Sequence, residues 1–228
     1  MFHKFLSWSI FALLLIFFIL PISAQERPTP TPPDTEALTT EQMRSAIVVS
    51  DMRATNRVMA TPNQDVVYRL ADCDETVKNA PCYVVVSAEI LEESSFSKIF
   101  TTKPFNQSVN RHLTLQCTRG IYADSNGGKM AELVQRAGVI FHTNSNSAPV
   151  TLQWGDTAGT WAGALFKWLS FTGPTPNPGW GTRTNSNASV NTNALGEIGT
   201  YYVIGWIGVR QISVGIGVSI SSSGWGCF

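Results

Sequence analysis

The chain has 228 residues, of which 16 are basic and 16 are acidic, so its formal net charge is zero. This balance leaves no electrostatic footprint for nucleic acid or for anionic lipid, and we expect no nucleic-acid partner. Only 14% of the residues are charged, while Gly, Asn, Ser and Thr are abundant, a composition that suits an exported β-protein.

The first 24 residues have the pattern of a secretory signal peptide. Met1–Lys4 is a short basic start, Phe5–Leu20 is almost wholly apolar, and Pro21 interrupts that block before a small residue, Ala24. We therefore expect residues 1–24 to be removed and the remainder to be secreted, in an extracellular or periplasmic location. An uncleaved segment would instead anchor the protein in a membrane.

Residues 25–38 are predicted to form a spacer rich in proline and threonine. Proline fixes φ and lacks an amide hydrogen, so this stretch should be extended and unpaired. The rest of the chain, residues 39–228, is long enough to bury one core. We expect it to fold as a single disulfide-bonded β-rich domain.

The domain is predicted to start with a helix and to continue mainly as strands. Thr39 and Gln42 form a capping box, and apolar or small residues from Met43 to Ala54 fall on one helical face. From Val66 onward, alternating apolar and polar residues indicate strands. The predicted strands are 66–71, 83–91, 112–118, 139–141, 150–154 and 212–221.

Four cysteines are expected to form two disulfide bonds, because an even number in an exported chain is typical of a disulfide framework. Among three possible pairings we favour Cys73–Cys82, across a turn, and Cys117–Cys227, across a long loop. Zinc ligands normally come as more closely spaced pairs than Cys73 and Cys82. The sequence thus predicts structural bridges, no metal site and no cofactor.

A second helix is predicted over Lys129–Ala137. Met130, Leu133, Val134 and Ala137 share one helical face, and Gly138 is placed to end the helix in a left-handed conformation.

Two segments are predicted to be long loops, 144–147 and 174–193, and such loops are often the working surface of a domain. The strand that follows them has an apolar face running from Ile212 to Ile220 and an opposite face of glycine and serine. Aromatic side chains from the Tyr201–Trp206 segment are expected to cover these small residues. An uncovered flat edge used for self-assembly is the alternative.

Motifs for catalysis are absent from the sequence. It contains no nucleophile elbow, no zinc-protease motif and no phosphate-binding loop. His112 and His142 are interpreted as surface side chains of strands. Four carboxylates could converge as a glycosidase pair, but their spacing favours no two of them. They are Asp124, Glu132, Asp156 and Glu197.

Tryptophans are dense in the last third of the chain, and exposed tryptophans stack on sugar rings or lie at membrane interfaces. Trp154 shares a strand face with Val150 and Leu152, so it is expected in the core. The apolar run Trp161–Phe171 should also be buried. Trp180, in a loop rich in glycine and proline, is the predicted ligand-binding residue, unless it folds down over the domain edge.

Taken together, these patterns predict an antiparallel β-sandwich or flattened barrel with one or two short helices. The expected function is a secreted, non-catalytic module that binds an extracellular glycan or protein surface through long loops. One alternative is a secreted hydrolase, which would have carboxylates that converge in a cleft. The other is a membrane-active or self-assembling protein, which liposome-leakage and filament assays would reveal. The sequence predicts no particular oligomeric state.

Overall fold

The computed structural model describes residues 37–56, 58–73, 80–96, 110–123, 128–161 and 165–228. The predicted signal peptide, all but the last two residues of the predicted spacer, and Asp124 lie outside these ranges. The described residues are mainly β and form two packed sheets, the predicted class, with one sheet curled into half a barrel. Within them, no helix combines the length and apolar character needed to cross a membrane.

The larger sheet has seven strands in the order β1-β2-β3-β4-β5-β6-β8. Its neighbours pair antiparallel except β1 and β2, which are parallel. Its strands are β1 (Ile47–Val49), β2 (Val66–Leu70), β3 (Pro81–Phe96), β4 (Asn110–Ala123), β5 (Lys129–Phe141), β6 (Val150–Trp161) and β8 (Arg183–Thr184).

The smaller sheet has four antiparallel strands in the order β11-β10-β9-β7. They are β7 (Phe166–Asn177), β9 (Ala188–Tyr202), β10 (Gly205–Ser221) and β11 (Gly224–Cys227). The core lies between the two sheets, where inward side chains such as Leu115 and Leu152 meet Val190 and Ile216.

The predicted first helix exists but is short. The capping box of Thr39 and Gln42 is present and starts α1, Thr40–Arg44. The expectation that the helix continues to Ala54 is wrong, because Ile47–Val49 is strand β1 and Met52–Asn56 is a 3-10 helix. The β-branched pair Val48 and Val49 suits a strand better than a helix.

Both favoured disulfide pairings lie at bonding distance. Cys73 and Cys82 have Cα atoms 4.9 Å apart, and Cys117 and Cys227 have Cα atoms 5.4 Å apart. The second bridge joins β4 of one sheet to β11 of the other. Two disulfides are compatible with an oxidising extracellular compartment.

The predicted helix over Lys129–Ala137 is wrong, because this segment is strand β5. Buried Leu133, Gln135 and Ala137 alternate with more exposed residues, which is the period of a strand. Gln135 hides this period in the sequence because it is polar yet fully buried. Its Nε2 donates to the Val190 carbonyl at 2.8 Å.

The predicted long loop 174–193 is also mostly wrong. Strand β7 continues to Asn177 and β9 begins at Ala188, so only a short connection containing β8 separates them. Proline is tolerated in β7 because this strand forms an edge of its sheet. Residues 142–149, which include the other predicted loop, contain no regular helix or strand.

The apolar face of β10 is buried as predicted, and its small face is covered in part. Ile212, Val214, Ile216, Val218 and Ile220 all point into the core. On the opposite face, the Phe228 ring lies over Gly217, and the two residues exchange backbone hydrogen bonds. An aromatic cover was expected from Tyr201–Trp206, but at Gly217 it comes from Phe228 instead.

The core also contains a buried arginine. Arg119 is fully buried on the inner face of β4, and this burial lowers the pKa of its guanidinium to about 10. Burial likewise raises the pKa of nearby Tyr68, whose hydroxyl donates to the Val58 carbonyl at 2.7 Å. Both residues lie in the core, and neither lines the grooves found on the described residues.

Candidate functional site: a groove on the outer face of the seven-stranded sheet

A bulge in β6 places a tryptophan on the outer surface. Gly138 pairs with Trp154, but Val139 pairs with Leu152, so Gln153 is an extra residue in the strand. One extra residue reverses which face the following side chains occupy. The expectation that Trp154 lies in the core is therefore wrong: Leu152 is fully buried, whereas Trp154 is 45% exposed.

The indole of Trp154 lies across the neighbouring strand, where a glycine leaves room for it. A β-carbon on Gly138 would collide with the indole Nε1. Glycine in a strand interior weakens the strand and commonly marks a place where another group approaches closely. Here that group is the Trp154 ring, and Gly138, predicted to cap a helix, instead forms the floor beneath it.

Four residues form one continuous row across four strands on this outer face. Glu92 pairs with Thr114, Thr114 with Gly138, and Gly138 with Trp154. Three strand spacings separate the ends of the row, which is roughly 14 Å. An exposed carboxylate therefore stands at one end and an exposed aromatic ring at the other, with small side chains between them.

This row is the centre of a groove with a volume of about 420 Å³. Its other polar lining includes Ser94, His112 and Gln153. Glu93 also lines it, but the Arg111 guanidinium holds that carboxylate at 2.5 Å. The groove thus combines one aromatic wall with several hydrogen-bonding groups, as small-molecule sites commonly do.

The chain matches no protein-family model, no curated protein and no solved structure in the comparisons made.

His142 lies on the outer face of the larger sheet, one row of residues beyond the groove, where it contacts two neighbouring strands. Its Nδ1 lies 3.0 Å from Asn110 Oδ1, and its Nε2 lies 2.9 Å from Thr151 Oγ1. Partial burial lowers the pKa of His142, with smaller contributions from the positive charges of Arg183 and His112. The imidazole ties three strand ends together, in keeping with the prediction of a surface side chain.

Trp180, the predicted ligand-binding residue, lies over the edge of the larger sheet. Its ring packs where a side chain on Gly155 would extend, next to Pro174, and the neighbouring Gly181 amide donates to the Leu152 carbonyl at 2.7 Å. Trp180 still exposes 39% of its surface. Because successive strand residues point to opposite faces, Trp154 and Trp180 do not share one surface. Ligand binding by Trp180 stays a prediction.

The candidate catalytic carboxylates that the structure describes do not converge. Glu132 is held by Lys129 at 2.8 Å, and Asp156 lies 3.9 Å from Arg136. Both lie on the outer face of the larger sheet, four residues apart in register, which is roughly 13 Å. Glu197 lies on the other sheet, where it accepts a hydrogen bond from the Trp206 indole.

The apolar run 161–171 is only partly buried. Phe166 and Trp168 are buried, and the Trp168 indole donates to the Thr160 carbonyl at 2.9 Å. Leu169 and Phe171 are exposed, so burial of the whole run is not confirmed. The described His, Cys, Asp and Glu side chains form no group of three that could hold a metal ion.

Proposed function

We propose that the protein, exported after loss of residues 1–24, is a non-catalytic extracellular module that binds a glycan in the groove beside Trp154. The observation that carries this proposal is the cross-strand row that ends in an exposed indole over Gly138. The proposal keeps the expected class of function but moves the aromatic contact from Trp180 to Trp154.

The chemistry of a sugar ring fits this arrangement. A pyranose has an apolar face of C–H groups and a rim of hydroxyls, so it is recognised by a flat aromatic ring with hydrogen-bonding groups beside it. Trp154 offers the flat ring, while Glu92, Thr114 and Gln153 offer acceptors and donors. A sugar stacked on the indole would have these polar groups within reach of its hydroxyls.

A binding role is favoured over hydrolysis by the positions of the described carboxylates. Hydrolysis of a glycosidic bond ordinarily needs two carboxyl groups facing one bond, about 5–10 Å apart. Glu92 is exposed in the groove, whereas its neighbour Glu93 is paired with Arg111. Of the two carboxylates that line the groove, Glu92 is thus the one outside that ion pair, and it can accept hydrogen bonds from hydroxyl groups.

A matched pair of tryptophan variants tests the site. Trp154→Ala should weaken binding roughly tenfold or more to any glycan found on an array, measured by calorimetry. Gly138→Ala should also weaken it, because the added methyl displaces the indole without removing it. Trp180→Ala should leave affinity unchanged.

The reverse result, with affinity lost in Trp180→Ala and kept in Trp154→Ala, would transfer the site to the 178–182 connection. Failure of the native protein to bind any glycan on the array would remove the proposal. Circular dichroism spectra of Trp154→Ala and Trp180→Ala should match that of the native protein, because both side chains are exposed at the surface.

A further inference from the structure

The two most exposed apolar side chains of the described residues, Val203 and Ile204, lie at the tip of the β9–β10 hairpin. Tyr202 is 61% exposed, Ile204 is 87% exposed and Val203 is fully exposed. Ile207 adds further exposed apolar surface behind the tip. These residues lie on a different sheet from the Trp154 groove, so they require a separate explanation.

The tip extends beyond the rest of its sheet. Pairing of β7 with β9 begins at Phe166 and Ile198, whereas β9 and β10 remain paired as far as Tyr202 and Gly205. Among the described strands, none pairs with the outer flank of residues 199–208. A two-stranded ribbon therefore projects roughly four residues, or about 13 Å, past its neighbour.

Neither the turn nor the core requires these apolar side chains. Val203 and Ile204 occupy the centre of a two-residue turn, where Gly, Asn and Asp are the usual residues. They pack against no buried cluster of the domain. Exposed aliphatic residues at a projecting tip therefore point to a contact outside the chain.

We propose that this tip inserts into the outer layer of a phospholipid bilayer. Val203 and Ile204 are almost wholly exposed at the end of a projecting ribbon, which suits liquid hydrocarbon better than a shaped protein pocket. Shallow insertion of the Val203 and Ile204 side chains leaves the open backbone edges of the ribbon at the hydrated headgroup level, because unpaired backbone groups are costly in hydrocarbon. Insertion of side chains, rather than attraction to anionic lipid, also suits a chain with no net charge.

The base of the tip carries groups that match the polar zone of a bilayer. Trp206 pairs with Tyr201 on the first rungs of the ribbon, and its indole Nε1 donates to Glu197 at 2.5 Å. The Lys167 ammonium lies 5.9 Å from the Trp206 ring centre. Tryptophan and lysine are side chains that anchor proteins at the level of lipid headgroups.

Vesicle flotation of the full-length protein tests this inference. Val203→Ser/Ile204→Ser should reduce partitioning to phosphatidylcholine vesicles by roughly tenfold or more, because both aliphatic contacts with hydrocarbon are lost. Val48→Ser is the matched control, since it removes an exposed aliphatic side chain from β1. It should bind vesicles like the native chain. Every variant keeps the same N-terminus, so any contribution of residues 1–24 is common to all.

A second measurement locates the contact. Ile204→Trp should gain fluorescence that brominated lipids quench, beyond the quenching of the native tryptophans. Equal vesicle binding by the native chain and the double serine variant would overturn the proposal, as would no binding by the native chain. If the serine pair instead abolished dimerisation in sedimentation experiments and left vesicle binding unchanged, the occupant would be a second copy and the bilayer assignment would be wrong.

Discussion

The two ends of the β9–β10 hairpin are built from similar residues but have opposite surroundings. At one end, the apolar side chains from Ile212 to Ile220 face the core, and Cys227 and Phe228 cover the strands. At the other end, Val203 and Ile204 face solvent. Apolar residues of one hairpin therefore serve two purposes: folding at the covered end, and contact outside the chain at the tip.

The largest expected effect is at the covered end. Cys117→Ser/Cys227→Ser removes a bridge that spans 110 residues, and should lower the free energy of unfolding by about 2–5 kcal/mol in urea titrations. Cys73→Ser/Cys82→Ser is the matched control, because its bridge spans 9 residues and should cost less on the chain-entropy model. Equal losses for the two pairs would contradict the special role of the covered end.

The same substitution at the two ends compares them directly. Ile216→Ala leaves a cavity in the core and should lower the free energy of unfolding by about 2–4 kcal/mol. Ile204→Ala should change it by less than about 0.5 kcal/mol, because that side chain is exposed. Urea midpoints measure both values. A large loss from Ile204→Ala would show that the tip contributes to folding after all.

A smaller effect is expected at the aromatic cover of β10. Phe228→Ala uncovers Gly217 and should cost about 1–2 kcal/mol, because the ring is only partly buried. Thermal unfolding followed by circular dichroism measures the loss. Tyr202→Ala, which removes an exposed aromatic ring from the tip, should leave the melting temperature unchanged. Comparable losses would mean that the two ends are equally supported.

The smallest effect is a pH dependence of stability that arises from His142. The segment 142–149 is joined to the covered end of the hairpin, because the Ala148 amide donates to the Ser221 carbonyl. The pKa of His142 is lower in the folded protein than its ordinary value of 6.5. At a pH between the folded pKa of His142 and 6.5, the unfolded chain binds more protons than the folded protein. The free energy of unfolding is therefore highest above pH 6.5 and decreases as the pH falls through the folded pKa of His142. Urea midpoints should therefore fall from pH 7 to pH 5, and less so for His142→Gln. An equal fall in both proteins would exclude His142 as the cause.

The sequence predicted those parts of the fold that depend on regular alternation or on cysteine spacing. The inward face of β10 alternates without a break, and it was predicted residue by residue. Strand β5 was missed because Gln135 occupies an inward position, where its hydrogen bond to another sheet replaces hydrophobicity. No pattern within β5 predicts this hydrogen bond, because the partner, Val190, lies 55 residues away along the chain.

The candidate site was harder to predict than the fold. Trp154 was assigned to the core because alternation from Val150 places it there, and the bulge at Gln153 reverses that assignment. A bulge depends on pairing with the neighbouring strand, which a single strand's pattern does not contain. The one local signal was Gly138, whose lack of a side chain within an apolar strand agrees with an aromatic ring lying above it.

The prolines of β7 limit how copies of this protein could join. An incoming chain extends a sheet by hydrogen bonding along an open edge, and Pro174 and Pro176 obstruct that approach on the outer side of β7. Growth of a continuous fibre by strand addition is therefore disfavoured at this edge.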